Sequence, residues 1–356
     1  MRLRSALAAI AGAALLALPV TAHAAGKDVH TVPLPFLWPR TELKDVASDG
    51  AGGAWIAGRQ GVVCVVWVDR CALFSAGNPV VRRWTGSSWR EYPINGWKGN
   101  GPIEQVTSGA GRTWIAGEAA DNGYIPFLAE FDGSSFQRVE TPSSASVEML
   151  STGPAGTWIA QADDPNQGAP RLYRRDGAAW QAFDLPGGDA YISDVQGIAP
   201  DDAWAVGARQ AEDPFTYHPA VARFDGTSWT WTTPPDIGAQ YPGITKVVPL
   251  GPDDVWASGR GRFAHWDGTS WTVIDGPLSG NPDRQLLGFA VDGAGTVWAA
   301  MHPSTAAGNL YRRTGGTWES VAVPAGVTLG GVAVTGASTM WGVGRANDAP
   351  VAVSDF

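Results

Sequence analysis

Short apolar runs rich in Val, Trp, Phe, Tyr and Thr, each closed by a cluster of Gly, Pro, Asp and Ser, follow one another along most of the chain. Such runs are the pattern of short β-strands joined by turns. Seven of them share one signature: A-W-I-A-G at Trp55, T-W-I-A-G at Trp114, T-W-I-A-Q at Trp158, A-W-A-V-G at Trp204, V-W-A-S-G at Trp256, V-W-A-A-M at Trp298 and M-W-G-V-G at Trp341. The intervals between these Trp residues are 59, 44, 46, 52, 42 and 43, so one unit of forty-odd residues recurs with insertions.

A second mark lies about thirty residues on in each unit, where an Asp-Gly type turn precedes an aromatic residue. Its copies end at Trp89, Phe136, Trp180, Trp229, Trp271 and Trp318, clearest in F-D-G-T-S-W and W-D-G-T-S-W. The seventh copy is missing: the last unit stops at P-V-A-V-S-D-F, with Asp355 at the Asp position of the turn. Residues 28–35, D-V-H-T-V-P-L-P, read instead like the tail of the other units, for example W-E-S-V-A-V-P from Trp318. The N-terminal strand is therefore expected to complete the last unit, because a strand borrowed from the other end closes a ring and removes its unpaired edges. Four strands per unit and seven units predict an all-β protein, a seven-bladed β-propeller over residues 25–356.

The first residues change the compartment. M-R-L-R-S, an apolar run over residues 6–20 and A-H-A at 22–24 form a secretory signal with a small-residue cleavage site, so residues 1–24 are expected to be removed and the mature chain to begin near Ala25. No later stretch approaches the roughly 20 apolar residues of a membrane span, and membrane insertion is not expected. Removing Arg2 and Arg4 takes the formal charge from −9 to −11, and no Lys/Arg stripe is present. Nucleic acid is disfavoured as a partner, since phosphate neutralisation needs such a stripe. The only two cysteines, Cys64 and Cys71, lie close together within an insertion, V-V-C-V-V-W-V-D-R-C-A, and an exported chain favours a local disulfide between them.

The topology separates two faces. Turns between strands one and two, and between three and four, lie on one side and carry D-G-A-G-G, G-P-D-D and D-G-T-S, where Asp and Gly serve turn geometry. Asp201, Asp202, Asp253 and Asp254 belong to such turns, and no calcium-loop ligand comb follows them. The opposite face collects the long connections, residues 36–42, 59–78, 94–102, 118–125, 162–169, 209–218, 234–242 and 276–284, and it is the face to search for binding residues.

Of 18 Trp, all but three occupy recurrent or neighbouring strand positions; Trp38, Trp67 and Trp97 do not repeat, and all three fall on long connections around the first unit. They are the leading candidates for stacking on a sugar or gripping a peptide, with Tyr124, Tyr217 and Tyr241 on the same face. The alternative is that these rings pack beneath the insertion as a satellite core. His265 occupies the register of Arg83, Glu130, Arg174, Arg223 and Arg312 and reads as a recurring structural position. His218 and His302 lack metal-ligand spacing, and no G-x-S-x-G elbow or P-loop occurs, so neither metal nor cofactor is expected. Glu118, Asp121, Asp163, Asp164, Asp189, Glu212, Asp213 and Asp236 could include a glycosidase pair, which needs two carboxyl groups roughly 5 to 9 Å apart.

The V-W-A-S-G and W-D-G-T-S-W units resemble the propeller repeats of exported actinobacterial proteins, within the broad kelch and galactose-oxidase-like propeller group, over residues 28–356. The resemblance implies fold and secretion. The turns are one residue shorter than sialidase Asp-boxes, F-L-W-P-R at residues 36–40 is not the sialidase F-R-I-P segment, and neither kelch Gly-Gly strand ends nor WD40 spacing repeat. With no signal for chemistry at the level of a site, the sequence points to a secreted, monomeric, non-enzymatic binding propeller for an extracellular glycan or protein. A carbohydrate-active hydrolase or lyase using the long-loop carboxylates is the alternative.

Overall fold

The computed structural model describes residues 28–356 apart from 68–69, 121–123, 165–169, 188–189, 212–215, 238–242, 306–307 and 336–337. Seven sheets built on four antiparallel strands follow one another, five of them wholly in the order of the chain from an inner to an outer strand, and no helix occurs among the described residues. The inner strand of the last sheet, Val327–Val334, packs against that of the first, Glu42–Ser48, so the ring is closed. The protein is a seven-bladed β-propeller.

Closure is made as the repeat count requires. Blade seven contributes Val327–Val334, Met340–Ala346 and Ala349–Ser354, and its outer strand is His30–Val32, with His30 opposite Ser354 and Val32 opposite Ala352. Asp355, where the other units make their turn, instead accepts the Met340 amide at 2.7 Å through Oδ1. One element was not foreseen. Ile94–Asn95, in a segment expected to be irregular, runs parallel to the outer strand Phe136–Arg138 of blade two as a fifth strand, and the Phe136 amide donates to the Pro93 carbonyl. It covers an edge that would otherwise face water.

The core lies between blades rather than within them. Seven clusters of buried side chains span the seven junctions, one for each neighbouring pair of blades. The recurrent Trp residues are all buried and most insert against the turn aromatics of the following blade. Trp55 meets Phe131 and Phe136, Trp158 meets Phe224 and Trp229, Trp204 meets Trp266 and Trp271, and Trp341 meets Trp84 and Trp89 across the closure.

The recurring polar position has a physical role. Arg83, Arg174, Arg223 and Arg312 each stand opposite a repeat Trp on the neighbouring strand and lay the guanidinium over its ring at 5.2 to 5.6 Å. His265 does the same beside Trp256 and is fixed by Asp254 at 2.8 Å. Blade two has Glu130 there. Arg112 restores the cation, donating to Glu130 at 2.6 Å and lying over Trp114.

The D-G-[ST]-S turns are equally explicit. In Asp225 and Asp267 one carboxylate oxygen accepts two backbone amides, from Thr227 and Ser228 and from Thr269 and Ser270, while Gly226 and Gly268 supply a positive φ of 95° and 93°.

Candidate functional site

The long connections gather on the face opposite these turns, and blade one carries the largest of them. Between its second strand Ala54–Gln60 and third strand Asn78–Trp84 the insertion forms a two-stranded hairpin, Val63–Trp67 with Arg70–Ser75. Cys64 stands opposite Phe74 and Cys71 opposite Val66. The described residues include no free cysteine, and the Cys71 side chain lies outside the described residues.

Against the base of this hairpin runs the segment that links the closing strand to blade one. Its backbone is pinned at several points. Buried Arg82 donates to the Phe36 carbonyl, the Trp38 amide donates to the Gln60 side chain at 3.1 Å, Thr41 donates to the Trp38 carbonyl, and the Gly61 amide donates to the Pro39 carbonyl. The side chains point the other way: Phe36 is 75% and Trp38 59% exposed, with ring centroids 5.9 Å apart in an edge-on pair. Val63 and Val65 of the hairpin are exposed as well, and Arg40 ties the segment to the Cys64 carbonyl. Four of the eight large exposed apolar side chains among the described residues therefore sit on these two adjoining segments.

The predicted binding residues divide. Trp38 is exposed, whereas Trp97 is half-buried on the blade one–two cluster, edge-on to Phe127 at 4.9 Å with its Nε1 donating to the Gly99 carbonyl. Tyr217 is half-buried with its ring 6.0 Å from Tyr191. The side chains of Trp67 and Tyr124, and all of Tyr241, lie outside the described residues. Phe36 was not singled out in the sequence, although it lies in the same non-repeating segment as Trp38. That shared lack of a counterpart in other units was the available signal.

Three of the four described long-face carboxylates are engaged by neighbouring groups. Glu118 accepts from Ser146, and Asp163 accepts from Tyr173 and Arg171, which holds its carboxyl below the usual range, the Tyr173 hydroxyl being the larger cause. A general acid needs the opposite shift. Asp164 is also engaged, Asp236 is exposed, and Asp121, Asp189, Glu212 and Asp213 lie outside the described residues.

A different set of ionisable groups meets at the ring's inner wall. Asp45, Asp194 and Lys246 occupy the same inner-strand position, diagonal to the Trp register, in blades one, four and five. Asp45 accepts the amides of Val46 and of Val106 in the next blade, both at 2.9 Å, and Asp194 accepts that of Val247 in its own next blade at 3.1 Å. Gln105 does likewise for Leu150. Burial pushes the Asp45 carboxyl up, and Asp194 above all holds the Lys246 ammonium in its charged form. With both Asp45 oxygens committed to amides, these carboxylates fasten inner strands together.

No protein-family pattern matches the chain and no curated protein matches it. Solved structures match in fold. The WD40 β-propeller domain of Doa1 is similar with a TM-score of 0.59 at 9% identity, over 92% of this chain and 96% of that one. YCF48 from Cyanidioschyzon merolae is similar at 0.57 with 14% identity, over 92% and 98%. The extracellular domain of the putative one-component system BT4673 from B. thetaiotaomicron gives 0.59 at 12% identity, over 92% of this chain but 40% of that one. At these identities the likeness is one of architecture: the chain is similar to β-propellers of unrelated sequence and shares their fold.

Proposed function

We propose that the chain is a secreted, non-enzymatic binding propeller that engages an extracellular protein or glycan through the long-loop face of blade one. The observation that carries this reading is the exposed Phe36–Trp38 pair on a backbone already fixed by Arg82, Gln60 and Thr41. Aromatic rings held in place offer large contact area with little conformational entropy left to lose. The reading includes removal of residues 1–24, a Cys64–Cys71 disulfide bracing the hairpin beside the pair, and a monomeric ring. A similarly folded protein, YCF48, has been solved bound to a D1 peptide, which supports a peptide as one form of ligand by analogy of fold only.

The test is an array of extracellular glycans and peptides probed with the purified chain and with Phe36→Ala/Trp38→Ala. Saturable binding without product release, lost in the double variant at unchanged melting temperature, is the expected result. Turnover of an arrayed glycan, or binding that the double variant leaves intact, would defeat the proposal.

A further inference from the structure

Two residues beyond the exposed aromatic pair stands a cation with no counter-charge. Arg40 is exposed, and its one hydrogen bond among the described residues is long, from Nη1 to the Cys64 carbonyl at 3.5 Å. No carboxylate among the described residues pairs with it, and Glu42, two residues further on, is held by Lys44 and Arg59. The backbone at this point would form more easily with another residue. Arg40 has a φ of 58°, in the left-handed region where a Cβ is unfavourable and Gly is not. It is held there because the Pro39 carbonyl accepts the Gly61 amide and Thr41 donates to the Trp38 carbonyl. Strained backbone of this kind collects where ligands are gripped, and here it carries a long, unpaired cation.

The shape of the surroundings selects the kind of ligand. Phe36 and Trp38 put their rings on one side of the segment, 5.9 Å apart and inclined at 68°, so they bound a cleft rather than a flat platform. A sugar lays its C–H face on a platform, whereas a single aliphatic or aromatic side chain enters a cleft. Val63 and Val65 repeat the same two-residue step on the adjoining strand, and both are exposed. That step, about 7 Å, is the distance between side chains on one side of an extended chain.

We infer that this surface grips an extended acidic peptide segment of a partner protein, one whose Asp or Glu lies within a few residues of an aliphatic or aromatic side chain. Resting on the binding role proposed for Phe36 and Trp38, this assignment narrows glycan or protein to one class of ligand. The apolar side chain enters the cleft between the two rings, and the neighbouring carboxylate takes the remaining N–H groups of Arg40. An anionic glycan would satisfy Arg40 equally but leave the cleft unfilled. The chain as a whole carries a formal charge of −9, so an acidic peptide gains nothing from its general field, and a preference for acid reports the local cation.

The experiment is selection of a phage-displayed random peptide library on the purified chain, followed by fluorescence anisotropy with labelled synthetic copies of the selected peptides. These are expected to carry Asp or Glu close to aliphatic or aromatic residues. Replacing their acids by Asn or Gln should weaken binding about three- to fivefold in low salt, the scale of an exposed ion pair. Phe36→Ala/Trp38→Ala should weaken it about tenfold or more. Arg40→Glu should turn the selection toward peptides bearing Lys and Arg. Arg40→Gly removes the cation while relieving the backbone, so it should lose the preference for acid without lowering the melting temperature, which separates lost recognition from lost structure. The proposal is overturned if no peptide is selected, if acidic and amide forms bind alike, or if Arg40→Glu selects the same acidic peptides. Peptides that need Phe36 and Trp38 but not Arg40 would overturn it and leave the binding role of the pair standing, whereas peptides indifferent to Phe36→Ala/Trp38→Ala would overturn both.

Discussion

Trp158 and Trp38 are chemically the same side chain in opposite settings, so truncating each to Ala tests the division between scaffold and surface. Trp158 is 1% exposed and its ring has Phe183, Phe224 and Trp229 at 5.2 to 5.3 Å, while its Nε1 donates to the Ala155 carbonyl at 3.1 Å. Removing a buried Trp of this kind costs about 3–5 kcal/mol, because the cavity at a junction between two sheets collapses only in part. Unfolding entropy of about 2.1 cal/mol/K per residue over roughly 330 residues gives about 0.7 kcal/mol/K, so Trp158→Ala should lower the melting temperature by about 4–7 °C. Trp38→Ala leaves the anchoring amide and carbonyl in place and removes a ring that is 59% exposed. Its cost should stay within about 0.5 kcal/mol, or under about 1 °C. Far-UV circular dichroism melts of the two variants and the parent chain decide the matter. A loss below about 2 °C for Trp158→Ala, or equal losses for the two, would refute the assignment of the repeat Trp to the junctions and of Trp38 to the surface.

Two further outcomes follow from the turns and the closure. The Thr227 and Thr269 hydroxyls, with backbone amides, hold Asp225 and Asp267 at about 2 against an ordinary 3.8, and Asp132 is lowered by the amides of Ser134 and Ser135 and by the Gln137 side chain. A depressed carboxyl adds stability that is complete above its unfolded value and is lost as pH falls through its folded one. The melting temperature should therefore drop between pH 3.8 and about 2, and less steeply in the triple Asp→Asn variant; identical slopes would sink the argument. Val32, 1% exposed in the cluster that joins blades seven and one, carries the closing strand. Val32→Asp should release that strand and speed amide exchange in Ala349–Ser354, whereas unchanged exchange there would mean that the ring is fastened elsewhere.

The ring was legible because its instructions are local and repeated. A Trp followed by small residues and an Asp-Gly type turn some thirty residues on mark strands from unit to unit, and the mismatch between seven of one and six of the other placed residues 28–35 in the last blade. His265 was legible for the same reason, as a member of a column whose other members are mostly Arg. The binding surface was harder, because failure to repeat marks a residue as dispensable to the scaffold without saying whether it is exposed. Trp97 and Trp38 look alike by that criterion, yet Phe127 of the next blade takes up one ring and the other stays mostly exposed beside Phe36. Asp45, Asp194 and Lys246 escaped notice because they belong to the first, fourth and fifth units, and only curvature of the whole ring makes them neighbours.

The pairing of His30–Val32 with Ala349–Ser354 also fixes where the protein can be held. The third strand of a blade runs toward the short-turn face and the fourth starts from it, so both ends of the described chain emerge there together, with the His30 and Phe356 rings 4.9 Å apart. A tether, bead or second domain joined at either end would therefore hang from the back of the ring and leave Phe36 and Trp38 facing outward. The same adjacency lets a short linker join the two ends and new ends be opened in any other short turn, moving the point of attachment around the rim without turning the binding face toward its support.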